Sequence, residues 1–212
     1  MQGCHLQCKY CQNRDTWSTD TNNLVTVSEL VKKIKKYEKY IKLSNGGVTI
    51  SGGEPLLQIK FLIALFEELK KLDFHTALDT SGMFSITEDV KKLLNLTDLV
   101  LLDIKHINPE KCKALVGRSN ELELKFARYL SDNNIAIWIR QVLVPGLTDA
   151  KEDLVALRDF IGSLKTVQKV EILPYHNLGK SKWENLGLNY SLENVRTAND
   201  DDVKRAKKIL NI

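Results

Sequence analysis

The chain has 212 residues, 43% of them hydrophobic, and a formal net charge of +4. That length supports one substantial core, so a single domain over 1–212 is expected. The apolar runs are short and strand-like, as in Asp98-Leu-Val-Leu-Leu-Asp103, which excludes a membrane span, and the mild charge comes with no nucleic-acid motif.

Four cysteines are too few to staple a chain of this length, and no signal peptide is expected. A reducing, cytoplasmic setting is therefore expected. Three of the four lie in the first eleven residues, as Gly-Cys4-His-Leu-Gln-Cys8-Lys-Tyr-Cys11. Zinc favours a closed set of four ligands, usually as two separated pairs, and no second pair exists. The spacing C-x3-C-x2-C instead supplies three thiolates where a cubane iron–sulfur cluster takes four ligands. One iron is left open for chemistry on a substrate. Cys112 stands alone beside Lys111 and Lys113 and reads as a bystander.

The rest of the chain alternates helix and strand. Helical periodicity covers Val27 to Ile41, with Ser28 as its expected N-cap. Its lysines, Lys32, Lys33, Lys35, Lys36, Lys39 and Lys42, have the spacing of a solvated face. A strand is expected over Val48–Ser51 and a helix over Phe61–Leu72. The pattern repeats as strand Thr76–Asp79, helix Ile86–Leu94, strand Leu99–Ile104 and helix Leu122–Asn133. Strand Ile135–Val144, helix Leu154–Leu164 and strand Val170–Pro174 complete it. A period near thirty residues is the βαβ rhythm of a parallel sheet, so the fold class is α/β.

Polar residues follow each strand: Ser51-Gly52-Gly53-Glu54-Pro55, Asp79-Thr80-Ser81-Gly82, Asp103-Ile104-Lys105-His106, Arg140 within the fourth, and Tyr175-His176-Asn177. In parallel α/β folds chemistry gathers at the carboxyl ends of strands. Singly, each would read as a cap or a strand-end ion pair, and His176 as a core histidine. Together they point to one site. Trp17 and Trp138 read as packing residues.

These motifs resemble the radical S-adenosylmethionine (SAM) superfamily and, more closely, the pyruvate formate-lyase activating enzymes. The resemblance rests on Cys4 to Cys11, Asn13-Arg-Asp-Thr-Trp17, Ser51-Gly-Gly-Glu-Pro55, Leu78-Asp-Thr80, Leu102-Asp-Ile-Lys105, Leu115-Val-Gly117, Trp138-Ile-Arg140, Val144-Pro-Gly146 and Leu173-Pro-Tyr-His-Asn-Leu-Gly-Lys180. They run in order through nearly the whole chain. The fold implied is a partial (β/α)6 TIM-like barrel. Five of its six strands are found here. The first, which in the family precedes the cysteines, is expected to be missing, leaving an exposed edge and a cysteine loop tethered only on its C-terminal side.

The resemblance also implies roles. Cys4, Cys8 and Cys11 would hold three irons of a [4Fe-4S] cluster, with SAM on the fourth. Gly52 and Gly53 would let the backbone approach SAM closely, with Glu54 supporting the turn. Asp103, Lys105 and His176 match SAM-contacting positions, and Lys105 suits a carboxylate. Asp79, Thr80 and Asp103 match ligands of a monovalent cation. Arg140 points toward the same rim.

The implied reaction is reductive cleavage of SAM, followed by removal of a glycine α-hydrogen from pyruvate formate-lyase to leave a glycyl radical. Flavodoxin or a similar carrier would supply the electron, and a monomer is expected. The alternatives are an activase of another glycyl radical enzyme, an anaerobic ribonucleotide reductase or a dehydratase, or a truncated, non-catalytic binding module.

Overall fold

A computed structural model of the chain describes residues 1–20 and 23–212. Five parallel strands form one sheet, in the spatial order of the sequence: β1 (Gly47–Ile50), β2 (His75–Thr80), β3 (Leu99–Asp103), β4 (Ala136–Leu143) and β5 (Val167–Pro174). Each strand pairs in parallel with the next, and β1 and β5 are its edges among the described residues. Sequential order with helical crossovers winds the sheet in one sense and places the helices on its convex side. The result is the expected partial barrel.

The crossovers are α3 (Ile59–Lys71), α4 (Glu88–Leu94), α5 (Pro109–Val116) with α6 (Glu121–Asp132), and α7 (Lys151–Gly162). Their apolar stripes explain the core. In α3, Leu62, Leu65, Phe66 and Leu69 recur at i, i+3, i+4 and i+7 and are fully buried. They join Leu78, Val100, Leu102, Ile137 and Ile139 from the convex face of the sheet. β4 shows the two-residue alternation: Ile137, Ile139, Gln141 and Leu143 are buried against helices, whereas Trp138, Arg140 and Val142 line the half-open concave face.

Some boundaries differ from expectation. The first helix breaks in two, α1 (Val27–Lys35) and α2 (Glu38–Leu43), with Tyr37 outside helical geometry between them. Its N-cap is Thr26, not Ser28, because Thr26 and Glu29 close a reciprocal capping box. The six lysines of this pair are exposed. Two further helices follow β5: α8 (Lys180–Asn185) and α9 (Asp200–Leu210), the latter packed on α7 and β5. No helix among the described residues is long and apolar enough to cross a membrane.

A second apolar cluster lies under the cysteine loop, separate from the main core. Leu6, Cys8 and Tyr10 pack there with Cys112, Leu115, Val116, Tyr175, Trp183 and Tyr190. The loop is held on both sides, which corrects the expectation of a one-sided tether. Gln7 and Lys9 donate backbone hydrogen bonds to Val116 and Leu115 at 2.9 and 3.1 Å. On the other side, Gly53 and Glu54 donate to the carbonyls of Met1 and Gly3 at 2.8 and 2.7 Å.

Candidate functional site

At the carboxyl ends of the strands, a cavity of about 290 Å³ opens between the sheet and the cysteine loop. Cys4, Cys8 and Cys11 line one wall, and Gly52, Gly53, Glu54, Asp79, Thr80, Asp103, Lys105 and Arg140 line the others. The folding reason is topological. Parallel strands joined by helices deliver all their strand ends to one rim.

The Gly52-Gly53 turn is where two backbones meet. Gly52 has φ +136°, in the region that favours glycine, and a Cβ there would collide with the Met1 backbone. A Cβ on Gly53 would collide with the Gly3 carbonyl. Close approach of the cysteine loop therefore demands both glycines. Glu54 locks the turn to the end of β2. Its carboxylate is 1% exposed. It accepts hydrogen bonds from the Thr80 and Ser81 hydroxyls, both at 2.6 Å, from the Ser81 N–H at 3.0 Å and from the Leu56 N–H at 3.2 Å.

Across the floor runs a line of alternating charge. Ser51 Oγ donates to Asp79 at 2.8 Å. Arg140 reaches from β4 to Asp103 (Nε to Oδ1, 3.0 Å) and onward to Asp79. Lys105 Nζ bonds Asp103 Oδ2 at 3.0 Å. Burial raises the Asp79 pKa, as does the charge of Asp103, against the pull of Arg140. Burial opposes the charge on Lys105, yet Asp103 prevails and holds its pKa well above the ordinary value. Arg140 bridges the two carboxylates, while Thr80 commits its hydroxyl to Glu54 and accepts the Gly82 N–H at 3.1 Å. The three expected cation ligands are thus engaged with protein partners.

The sulfurs sit in an apolar setting. Burial pushes the Cys8 thiol up to about 12 and raises that of Cys4. Among the described residues, no three His, Cys, Asp or Glu side chains close on a single metal ion. Thiols spread along one wall suit a cluster, which offers each ligand a separate iron. Cys112 is fully buried in α5 and does not line the cavity.

His176 is the expected site residue that the cavity does not include. It is exposed beyond β5, and its carbonyl accepts from Gln12 Nε2 at 2.8 Å. Its neighbour Tyr175 turns inward instead, with its hydroxyl 3.0 Å from that of Tyr190.

Other contributors lie inside the motifs but carry no expected site role, Trp17 being read as a packing residue. Ser51, Tyr10 and Trp17 line the cavity, and Trp17 Nε1 donates to Cys11 Sγ at 3.2 Å. Behind Lys105 lies Glu123 of α6, fully buried, with Oε1 accepting the Lys105 N–H at 3.0 Å. Its Oε2 has no hydrogen-bond partner among the described residues. Burial raises its pKa well above the ordinary carboxylate value, against the pull of Lys105. The signal was periodic: Glu123 occupies the buried stripe of Phe126, Ala127 and Leu130.

Comparison with known proteins follows the same lines. The sequence profile of the radical SAM superfamily matches residues 1–161. A pyruvate formate-lyase-activating enzyme of Staphylococcus epidermidis is 52% identical over 99% of this chain and 86% of that protein. Its counterpart in Staphylococcus aureus is 50% identical with the same coverage. Among solved structures, a domain of pyruvate-formate lyase-activating enzyme from Bacteroides vulgatus superposes with a TM-score of 0.66 at 25% identity, covering 78% of this chain and 93% of that one. Streptococcus suis SuiB bound to S-adenosylmethionine shares the fold, with a TM-score of 0.73 at 17% identity over 99% of this chain and 45% of that one. Profile, identity and coverage agree: the chain belongs to the radical SAM superfamily, within the family of the pyruvate formate-lyase-activating enzymes.

Proposed function

We propose that this chain, as one domain over 1–212, installs a glycyl radical on pyruvate formate-lyase, using a [4Fe-4S] cluster and SAM. The observation that carries the proposal is the single cavity shared by Cys4, Cys8, Cys11, the Gly52-Gly53 turn and the Asp103–Lys105 pair. One-electron cleavage of the SAM sulfonium, with hydrogen abstraction from a glycine α-carbon, is the chemistry the bound cluster and SAM supply.

Each residue then has a task its surroundings support. Cys4, Cys8 and Cys11 hold three irons. The raised thiol pKa values of Cys4 and Cys8 mean that cluster binding must displace protons there. Gly53 and Glu54 spend their N–H groups on Met1 and Gly3, so the turn would meet SAM through the Gly52 and Gly53 carbonyls. Carbonyls suit the SAM ammonium. Lys105 offers a compact ammonium to the SAM carboxylate, oriented by Asp103. Arg140 and Lys105 balance the charges of Asp79 and Asp103, and a monovalent cation there would have to share the two carboxylates with Arg140. His176, at the exposed end of β5, is assigned the outermost contact. The apolar cluster under the cysteine loop shields Cys8, the buried one of the three, from water on the side away from the cavity. A flavodoxin-like carrier supplies the electron to a cytoplasmic monomer.

The test is anaerobic. Reconstituted protein is mixed with SAM, reductant and pyruvate formate-lyase, and a glycyl radical doublet is sought by EPR. The doublet should appear, and Cys4→Ala, Cys8→Ala or Cys11→Ala should abolish both it and the iron, while Cys112→Ala should not. Cleavage of SAM with no radical on this partner, but one on another glycyl radical enzyme, would overturn the substrate and keep the reaction class.

A further inference from the structure

The Asn13-Arg14-Asp15-Thr16-Trp17 run lies beside the cysteines. Its 3-10 turn, Arg14–Thr16, folds back on the loop: Thr16 and Trp17 accept the backbone N–H groups of Gly3 and Cys4 at 2.8 and 3.3 Å. That return delivers the Trp17 indole to Cys11, where Nε1 lies 3.2 Å from Sγ. Among the described residues it is the one side-chain donor to any of the three sulfurs.

The ring is held from several sides. The Arg14 guanidinium sits 3.9 Å from the Trp17 ring centroid, and Arg14 Nε is buried with no hydrogen-bond partner among the described residues. Trp183 meets Trp17 edge-on, at 5.5 Å and 77°. Trp183 also uses its N–H on Cys11, but on the carbonyl, at 3.0 Å. Two similar indoles therefore flank one residue, and only Trp17 addresses the sulfur.

We propose that Trp17 sets the reduction potential of the cluster held at Cys11. This rests on the assignment of Cys11 as an iron ligand. A thiolate sulfur gains negative charge when the cluster accepts one electron. A donor aimed at that sulfur stabilises the reduced state more than the oxidised one and raises the potential. The cation on the ring face draws electron density from the indole and strengthens the donor. The electron comes from an external one-electron reductant, and the indole keeps its proton throughout.

The test compares wild type, Trp17→Phe and Trp183→Phe after anaerobic reconstitution. Iron and sulfide are assayed first, and the reduced cluster is then titrated by EPR against dithionite with mediators. Trp17→Phe keeps an aromatic ring under Arg14 and loses the N–H with part of the ring's bulk, a loss of bulk that Trp183→Phe shares. It should retain iron and move the midpoint to more negative potential. At fixed poise the oxidised-to-reduced ratio should change about threefold to fivefold, the scale of one hydrogen bond, or roughly 30–40 mV for a one-electron couple. Trp183→Phe should move it less than half as far. A fully loaded Trp17→Phe with the wild-type midpoint, or an equal shift in both variants, overturns the proposal. If Trp17→Phe loses iron, unsubstituted protein labelled with 15N-indole tryptophan decides: one indole nitrogen should couple to the reduced cluster in ENDOR, and no coupling overturns the proposal. Failure of the wild type itself to take up iron would instead overturn the ligand assignment beneath it.

Discussion

Replacing Glu54 tests whether the glycine turn is held by one buried carboxylate. Glu54→Ala removes the acceptor of four hydrogen bonds. The Thr80 and Ser81 hydroxyls can rotate to other partners. The Leu56 and Ser81 N–H groups cannot, and a stranded buried donor costs about 1–3 kcal/mol. Relief of carboxylate desolvation offsets part of that, as does water entering from the cavity that Glu54 lines. The net expectation is a loss of about 2–4 kcal/mol. Glu54→Gln keeps one oxygen, and with it the Thr80 and Leu56 bonds. Its NH2 then faces the Ser81 N–H, donor against donor, for a loss of about 1–2 kcal/mol. Urea unfolding of the metal-free protein measures both. A slope near 3 kcal/mol/M converts the Ala variant's loss to a midpoint lower by about 1 M, with the slope unchanged. A wild-type midpoint in Glu54→Ala, or a Glu54→Gln variant falling as far as Glu54→Ala, would refute the assignment of the turn to this carboxylate.

Gly53→Ala places a methyl against the Gly3 carbonyl, so the cysteine loop should lift; overpacking of this kind costs about 1–3 kcal/mol. Amide hydrogen exchange should quicken over residues 1–17 and stay unchanged in β2 to β4, and uniform quickening would point to global damage instead. Arg140→Ala leaves Asp79 and Asp103 facing each other with side chains only about a fifth exposed. It should cost about 2–3 kcal/mol, below the full penalty of a broken buried pair because water reaches the cavity. Adding Asp79→Asn should restore part of the loss, and strict additivity in that double-mutant cycle would remove Arg140 from its bridging role. His106 is buried beside the site. It accepts the Asn108 N–H on Nδ1 at 3.0 Å, and Nε2 lies 3.2 Å from the Leu147 carbonyl, so the ring is neutral with its proton on Nε2. Burial lowers its pKa from 6.5, against the attraction of Asp153, and Lys111 lowers it further. A depressed histidine pKa contributes stability above about pH 6.5 that is lost as pH falls through the folded value. His106→Asn should flatten the acid limb of a stability–pH curve, and an unaltered limb would show that another group causes it.

Much of this molecule is written in local pattern. The cysteine run, the βαβ rhythm and the strand-end motifs are each short-range features, and parallel topology converts them into one site. Asp79, Asp103 and Arg140 meet because register places Asp103 opposite Arg140 and the ends of β2 and β3 beside them. Helix α5 was not among the expected elements: Asn108-Pro109 and Gly117 mark its ends, but eight residues are too few for periodicity to stand out. The strand-end rule puts His176 on the rim but cannot say which side chain turns inward. Packing gives that place to Tyr175, which buries its ring and pairs with Tyr190. Only the tertiary structure decides why Gly52 and Gly53 must be glycine, since the obstructing atoms belong to Met1 and Gly3, some fifty residues away. Only it brings the indoles of Trp17 and Trp183 to opposite ends of Cys11, and Glu123 behind Lys105. Periodicity encodes which face of an element is buried, whereas the partner across the interface depends on how distant elements cross, which no single segment specifies.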